Sequence, residues 1–180
     1  NEEWREAHVL IKKGTLNIDE LQSIPVKLDL KNNNFELSTG HLIKILEGSK
    51  VEGFEWTNPL NGSKEIYVNC EKFDYQNTKL LGFCKIVSKG SLMLVERSYI
   101  DVIKADYNVA MNVGSKDDRL VKKEKFYFVQ NNELISADKK NFNKIIADKP
   151  DQVKEFIKNK SLNISKIEGL KAAVDYYNSL

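Results

Sequence analysis

Apolar residues are densest in residues 79–104, KLLGFCKIVSKGSLMLVERSYIDVIK, where they form short runs. Turn-forming residues such as Ser88-Lys89-Gly90 separate the runs, which is typical of strands. Residues 80–87 alternate between two apolar faces, as in a strand that is covered on both sides. We therefore predict three consecutive strands here, and expect them to form the buried centre of an antiparallel meander.

The chain before this centre also has the pattern of strands. Residues 9–11, 26–30, 35–37 and 50–57 are short apolar or alternating segments, and Leu16 and Ile18 alternate with polar residues. The run Lys31-Asn32-Asn33-Asn34 tolerates left-handed backbone and predicts a hairpin turn. Residues 58–63, with a proline and an Asn-Gly pair, are the clearest predicted loop.

Beyond the centre, residues 105–113 alternate strictly between apolar and polar positions and predict a further strand. Residues 114–125 contain eight charged residues of both signs among twelve, and we interpret them as an exposed loop. Residues 126–129 and 133–136 are predicted strands.

From about residue 138 the period changes from two to about 3.6, which predicts three helices. Pro150 suits the first position of the second helix. Ser165 and Glu168 match a capping box for the third, which continues in a stripe of Ile167, Leu170, Val174 and Tyr177. The fold class is therefore α+β: an antiparallel meander over residues 1–136, as a strongly curved sheet or partly closed barrel, with a three-helix segment over residues 137–180 packed on it as one cooperative unit.

Composition narrows the function classes. The chain has 180 residues, a net charge of +2 and no apolar run that approaches about 20 residues, so we expect no nucleic-acid partner and no membrane span. His8 and His41 lack the spacing of metal ligands, and no nucleotide-binding or nucleophile motif is present. We therefore predict no metal, no cofactor and no catalytic residue.

Cys70 and Cys84 are the two cysteines of the chain. If residues 65–73 and 79–87 form a hairpin, residues that face each other have numbers that sum to about 154, and these two cysteines meet that sum. Opposed residues in a hairpin are near the distance that a disulfide needs. The alternative is that both are small buried apolar side chains, because a one-residue change of register would separate them.

Four segments carry a resemblance to a known group: GFEW at 53–56, GFCKIVSKGSLMLV at 82–95, VIKADYNVAMNVGSKDDRLVKKEKFYF at 102–128, and the closing AVDYYNSL. Over residues 40–180 the chain resembles uncharacterised proteins exported by Bacteroidetes-type bacteria. The resemblance implies a periplasmic or secreted protein of unknown function, and assigns no functional residue. The absent initiator methionine fits a mature protein whose signal peptide was removed, and equally a recombinant fragment, which leaves a cytoplasmic location open.

The favoured function is non-catalytic binding of a small ligand or an envelope protein, in an unknown oligomeric state. A curved sheet offers a concave face, and the candidate ligand-binding residues are the aromatic side chains Phe54, Trp56, Tyr67 and Tyr99, with Tyr75 near them. The competing interpretation is that these rings fill the core.

Two alternatives remain open. The chain is either a structural component of the envelope that assembles through strand edges at residues 16–18 or 126–129, or a hydrolase that uses two carboxylates. The candidate carboxylates lie on or beside predicted strands: Glu52, Glu55, Glu65, Glu71 and Asp101. No feature of the sequence singles out two of them.

Overall fold

The computed structural model describes residues 3–14, 20–108 and 110–180. In this part of the chain, ten strands form one antiparallel sheet and three helices follow them. The strands are β1 (Arg5–Ile11), β2 (Glu20–Asp29), β3 (Asn34–Ser38), β4 (Ile43–Glu47), β5 (Val51–Thr57), β6 (Lys64–Asn69), β7 (Phe83–Ser88), β8 (Met93–Ile103), β9 (Arg119–Gln130) and β10 (Glu133–Ser136). The helices are α1 (Lys139–Ile145), α2 (Pro150–Asn159) and α3 (Ile167–Ser179).

The sheet consists of two meanders that meet at β1. The strand order is β10-β9-β8-β7-β6-β5-β1-β2-β3-β4, so β1 lies between β2 and β5. A single 3₁₀ turn, Gly48–Lys50, carries the chain from β4 at one edge back to β5 in the interior. Asn69 on β6 holds this turn, because its Nδ2 donates to the carbonyl oxygens of Gly48 and Val51 at 3.0 and 2.8 Å.

The sheet is strongly curved. The rings of Phe35 on β3 and Phe83 on β7 have centroids only 5.2 Å apart, although four strands lie between β3 and β7 in the sheet. In a flat sheet with strands about 4.8 Å apart, five steps would separate these strands by about 24 Å. The two edge strands, β4 and β10, do not pair with each other, so the sheet is curved but open.

An aromatic core fills the curve. Phe54 on β5 lies at its centre and contacts the rings of Phe35, Phe83, Trp56 and Tyr67, with centroid distances between 4.5 and 5.2 Å. Aliphatic side chains from both meanders complete this cluster: Val9, Ile11, Val26, Leu28, Leu37, Leu46 and Val51. Buried rings stabilise the curve through their large apolar area and their edge-to-face contacts.

The three helices cover a second part of the sheet. Leu94 and Phe128 lie opposite each other on β8 and β9, and they belong to one buried cluster with Phe142, Val153 and Val174 of the helices. The predicted α+β class, an antiparallel curved sheet followed by three helices, is therefore confirmed. The predicted stripe on α3 is also confirmed, because Leu170, Val174 and Tyr177 are buried.

The predicted strand boundaries are wrong in the second half of the sheet. Residues 79–104 hold two strands, β7 and the long β8, instead of three. Within the predicted strand at 105–113, residues 105–108 and 110–113 form a loop, in which Asn108 Oδ1 accepts from the backbone N–H groups of Ala110 and Met111. The predicted loop at 114–125 is largely β9, because residues 119–129 pair with the whole of β8.

The predicted capping box is also wrong. Residue Lys166 caps α3, and no side chain donates or accepts a capping bond there. Asn163 organises this turn instead: its carbonyl oxygen accepts from Lys166 N–H, and its Oδ1 accepts from Ser165 N–H, both at 3.0 Å. The Ser165 N–H therefore bonds to Asn163, upstream of the helix, and Ser165 does not occupy the cap position.

Cys70 and Cys84 are joined by a disulfide, with Cα atoms 5.5 Å apart. The register differs from the one that we predicted, because Val68 lies opposite Cys84 and the paired numbers sum to 152. Cys70 follows β6 in a 3₁₀ turn, and its N–H bonds to the carbonyl oxygen of Gly82. The turn brings Cys70 back to β7, so the bridge forms diagonally across the strand pair. Both cysteines are fully buried.

Candidate binding cleft

A row of polar side chains crosses the inner face of the curved sheet. Directly opposed residues in antiparallel strands share a face, and Trp56 on β5 lies opposite Glu65 on β6. Tyr67, two residues after Glu65, lies opposite Lys85 on β7, which in turn lies opposite Glu96 on β8. The row therefore lies on the same face of the sheet as the aromatic core. Beyond Trp56 and Tyr67, the side chains on this face are charged.

These residues line a cleft of about 240 Å³ between β2 and the β8–β9 pair. Its apolar wall is formed by Leu28, Leu30 and Trp56, and the remaining lining is polar. The polar lining residues come from five strands and one loop: Arg5, Asn58, Glu65, Tyr67, Lys85, Glu96, Ser98, Lys122 and Glu124. Three are basic and three are acidic, so the charge of the lining is balanced.

Glu65 is the centre of the hydrogen-bond network. Its Oε2 accepts from Trp56 Nε1 at 2.9 Å and from the Tyr67 hydroxyl at 3.1 Å, and its Oε1 accepts from Asn58 Nδ2 at 3.0 Å. Lys85 Nζ and Arg5 Nη1 lie 3.8 and 3.9 Å from its oxygens. Because both oxygens already have several donors, Glu65 serves to fix the positions of the surrounding side chains.

The network shifts the pKa values of its members. Burial by itself would raise the pKa of Glu65, but the hydrogen bonds from Trp56, Asn58 and Tyr67 and the charge of Lys85 outweigh burial and hold that pKa below its usual value. Burial and the neighbouring Glu65 carboxylate raise the pKa of Tyr67 far above its usual value. At neutral pH Glu65 is therefore an anion, and Tyr67 is a neutral donor.

Arg5 forms one side of the cleft and is mostly buried. Its guanidinium carbon lies 4.8 Å from the centre of the Trp56 ring, in a cation–π contact. Its Nε is buried and has no hydrogen-bond acceptor among the residues that the structure describes. Native proteins satisfy almost all buried donors, so this donor is an exception, and it lies at the wall of the cleft.

The outer part of the cleft contains two ion pairs. Lys85 Nζ lies 3.1 Å from Glu96 Oε2, and Lys122 Nζ lies 2.8 Å from Glu124 Oε1. The first pair is largely buried, whereas Lys122 and Glu124 are exposed. The cleft thus offers positive and negative groups side by side, with the most exposed ones at its rim.

The aromatic residues predicted to bind a ligand occupy three different environments. Trp56 and Tyr67 line the cleft. Phe54 is buried in the aromatic core, where its ring stacks on Tyr67 with centroids 4.5 Å apart. Tyr99 adjoins Ser98 in β8, so it lies on the opposite face of the sheet, where the Arg97 guanidinium lies 4.9 Å from its ring. Tyr75 contacts Tyr127 at 5.5 Å, away from the cleft.

Of the predicted carboxylate candidates, Glu65 alone lies in the cleft. The others form ion pairs elsewhere: Glu52 with Lys72, Glu55 with Lys64, Glu71 with Lys12, and Asp101 with Lys123. The sequence interpretation missed Arg5, Lys85 and Glu96. A signal was present for Lys85, which is the one charged residue of β7. Glu96 shares β8 with Arg97 and Asp101, so no local pattern set it apart.

The described residues contain no group of three or more His, Cys, Asp or Glu side chains arranged to hold a metal ion. None of the helices in this part of the chain combines the length and the apolar character needed to cross a bilayer.

Comparison with known proteins adds no relative. No protein-family model matches the chain, and searches of curated proteins and of solved structures found no significant match.

Proposed function

We propose that this protein is a non-catalytic binding protein, and that the cleft between β2 and the β8–β9 pair holds a small polar ligand. The observation that supports this most directly is the buried Nε of Arg5, which has no acceptor within the described residues. An unsatisfied buried donor costs about 1–3 kcal/mol. A small movement of the Arg5 side chain towards the cleft would let a ligand oxygen accept from Nε and offset this cost.

The lining suggests the chemistry of the ligand. Arg5 and Lys122 offer donors to a carboxylate or carbonyl oxygen, whereas Glu96 and Glu124 offer acceptors to an amine or hydroxyl group. The volume of about 240 Å³ is smaller than the roughly 300–1,000 Å³ of clefts for drug-sized ligands. A ligand with donors and acceptors, of the size of an amino acid or a monosaccharide, fits these features.

A hydrolase mechanism is less well supported. Lys85 lies between Glu65 and Glu96, at 3.8 and 3.1 Å from their oxygens, so these are the two carboxylates that a shared substrate would meet. A general acid needs a raised pKa. The pKa of Glu65 is lowered, and its oxygens are already occupied by donors of the protein.

We also propose that the protein works in the periplasm or outside the cell, as the resemblance to exported proteins implies. The Cys70–Cys84 disulfide supports this proposal, because disulfides persist mainly in oxidising compartments. Alkylation of the protein in its native cells, followed by mass measurement without reduction, tests the location. Two alkylated thiols would contradict it.

Binding is tested with a panel of free amino acids, dipeptides and monosaccharides, first by thermal shift and then by calorimetry. The variant Ser98→Leu places a larger side chain in the cleft and leaves the ion pairs in place. Ser38→Leu on β3 is the matched control outside the cleft. We expect a compound that stabilises the wild type, and at least a tenfold loss of its affinity, about 1.4 kcal/mol, in Ser98→Leu only. No binder in the panel, or equal binding by both variants, would contradict the proposal.

A further inference from the structure

The strand β4 exposes apolar side chains at the edge of the sheet. Ile43 and Ile45 are 63% and 71% exposed, and Leu42, which precedes the strand, is 65% exposed. β4 is the last strand of the sheet order, and among the described residues only β3 pairs with it. An exposed apolar edge strand can pair with another chain, and most proteins protect such edges with charged or bulged residues. Lys44 and Glu47 are the two charged residues of β4, so the edge is only partly protected, and Ile43 and Ile45 remain exposed beside them.

The backbone of β4 is oriented to accept a partner. Bonded pairs alternate along antiparallel strands, and two bonds fix their phase here: Thr39 N–H to the Leu42 carbonyl, and Gly48 N–H to the Asn33 carbonyl. Both bonds join residues whose numbers sum to 81, as in the β3–β4 register. The even-numbered residues of β4 therefore bond to β3. The N–H and C=O groups of residues 43, 45 and 47 point to the open edge.

We propose that β4 pairs in antiparallel fashion with β4 of a second copy of this chain, with the two-fold axis at Ile45. In this register Ile45 faces Ile45 of the second copy, and Ile43 faces Glu47. The open-edge N–H and C=O groups of residues 43, 45 and 47 then lie opposite the same groups of the second copy. The hydrogen-bond ladder covers the full strand. The two curved sheets become one continuous sheet.

The sequence of β4 favours a second copy and selects this register. Ile43 and Ile45 lie on the same face, so the two copies bring four isoleucine side chains together and remove them from water. Lys44 faces Leu46, so no two like charges oppose each other. In the proposed register the numbers of facing residues sum to 90. A register with a sum of 88 would place Lys44 opposite Lys44, and one with a sum of 92 would leave Ile43 outside the pairing. Self-complementarity of this kind is what a two-fold symmetric interface requires.

The oligomeric state tests the proposal. We expect light scattering with size-exclusion chromatography to show a dimer that dissociates on dilution. Ile45→Lys should raise the dissociation constant at least about a hundredfold, because it places two lysines on the symmetry axis. The control is Leu120→Lys, which makes the same charge change at an apolar residue that is 58% exposed on β9. It should leave the dimer intact.

The register is tested by cross-linking, which does not depend on the stability of the lysine variant. Ile45→Cys places the two new thiols opposite each other and should form an intermolecular disulfide under mild oxidation, whereas Ile43→Cys should cross-link at least about tenfold more slowly. Cys70 and Cys84 are already bonded and do not compete. A wild-type monomer at all concentrations, a dimer that survives Ile45→Lys, or equal cross-linking of the two cysteine variants would overturn the proposal.

Discussion

The indole Nε1 of Trp56 donates a hydrogen bond of 2.9 Å to Oε2 of Glu65, which lies directly opposite on the neighbouring strand. The bond joins the aromatic core to the polar row, because Trp56 contacts Phe54 on one side and Glu65 on the other. Binding in the cleft and stability of the core therefore share one side chain, and variants of the pair must be assessed for both.

Glu65→Gln should destabilise the protein at neutral pH. Glutamine keeps the shape of the side chain but replaces one carboxylate oxygen with an amide nitrogen, which cannot accept a hydrogen bond. The donors that bond to that oxygen, Trp56 Nε1 at Oε2 or Asn58 Nδ2 at Oε1, then lose their acceptor. Hydrogen bonds to a charged acceptor are worth about 1.5–3 kcal/mol each when they are buried. We expect a loss of about 2 kcal/mol, measured by urea unfolding. The control is Glu55→Gln, whose ion pair with Lys64 is exposed, and it should show no measurable change.

The same variant should change the acid stability. The pKa of Glu65 in the folded protein lies below its ordinary value near 4.5, so the unfolded state binds a proton more readily than the folded state. The stabilisation is complete above the unfolded pKa, and it disappears as pH falls from about 4.5 through the folded pKa. The wild type should therefore lose its advantage over Glu65→Gln as pH falls from 5 to 3. A constant difference across this range would show that the carboxylate charge contributes nothing.

Trp56→Ala should cost far more stability than a surface tryptophan would. Trp56 is buried, stacks against Arg5 and contacts two aromatic rings, so its removal leaves a cavity. Truncation of a buried aromatic residue costs about 3–5 kcal/mol. Trp4→Ala is the control, because Trp4 is 39% exposed and contacts Lys27, and we expect it to cost less than about 1 kcal/mol. Equal losses in urea unfolding would contradict a core role for Trp56.

The hydrophobic pattern of the sequence predicted the secondary structure correctly where buried residues recur at a regular spacing. The period-two strands, the turn at residues 31–34 and the α3 stripe were predicted because alternation or a 3.6-residue period follows directly from one buried face. The same rule failed at residues 105–113, where Met111 and Val113 are exposed and the side chain of Asn108 organises a turn. It also failed in the first half of β9, which extends beyond the core and has charged residues on both faces.

The cleft could not be predicted, because its residues meet only through the order of the strands. Arg5 reaches Glu65 because β1 inserts beside β5, and no local pattern specifies that pairing. The prediction that residues 126–129 form an open edge was wrong for the same reason, because β10 pairs with this part of β9. The other proposed edge, residues 16–18, lies outside the described residues. The open edge at β4 was not predicted as an edge.

Removal of the disulfide should weaken the fold. Cys70 and Cys84 are 14 residues apart, and closing a loop of this length stabilises a protein by about 3 kcal/mol. Both sulfur atoms lie in a buried cluster with Val95 and Tyr127. The double variant Cys70→Ala, Cys84→Ala should therefore unfold at a lower urea concentration than the wild type. Dithiothreitol should lower the wild-type midpoint and leave that of the double variant unchanged, and a wild type insensitive to the reductant would contradict this.

Asn178 attaches the last helix to the sheet. Its Nδ2 donates to the Leu92 carbonyl at 2.8 Å and to the Lys89 carbonyl at 3.2 Å, and its Oδ1 accepts from Leu92 N–H at 3.0 Å. One amide thus satisfies both backbone groups of Leu92, in the turn between β7 and β8. Because those groups lie beside the fully buried Leu92 side chain, we expect Asn178→Ala to cost about 1–3 kcal/mol.

The loss of stability in Asn178→Ala should begin in α3. α3 packs on Leu94 and Phe128 through its apolar stripe, so release of its end should expose amides of α3 to hydrogen exchange before those of β5 and β6. Asn159→Ala at the end of α2 is the matched control, since Asn159 is exposed. Exchange that accelerates equally across the sheet and α3 would mean that Asn178 stabilises the whole domain and does not act as a local attachment, because a local opening leaves the strands on the far side of the sheet protected.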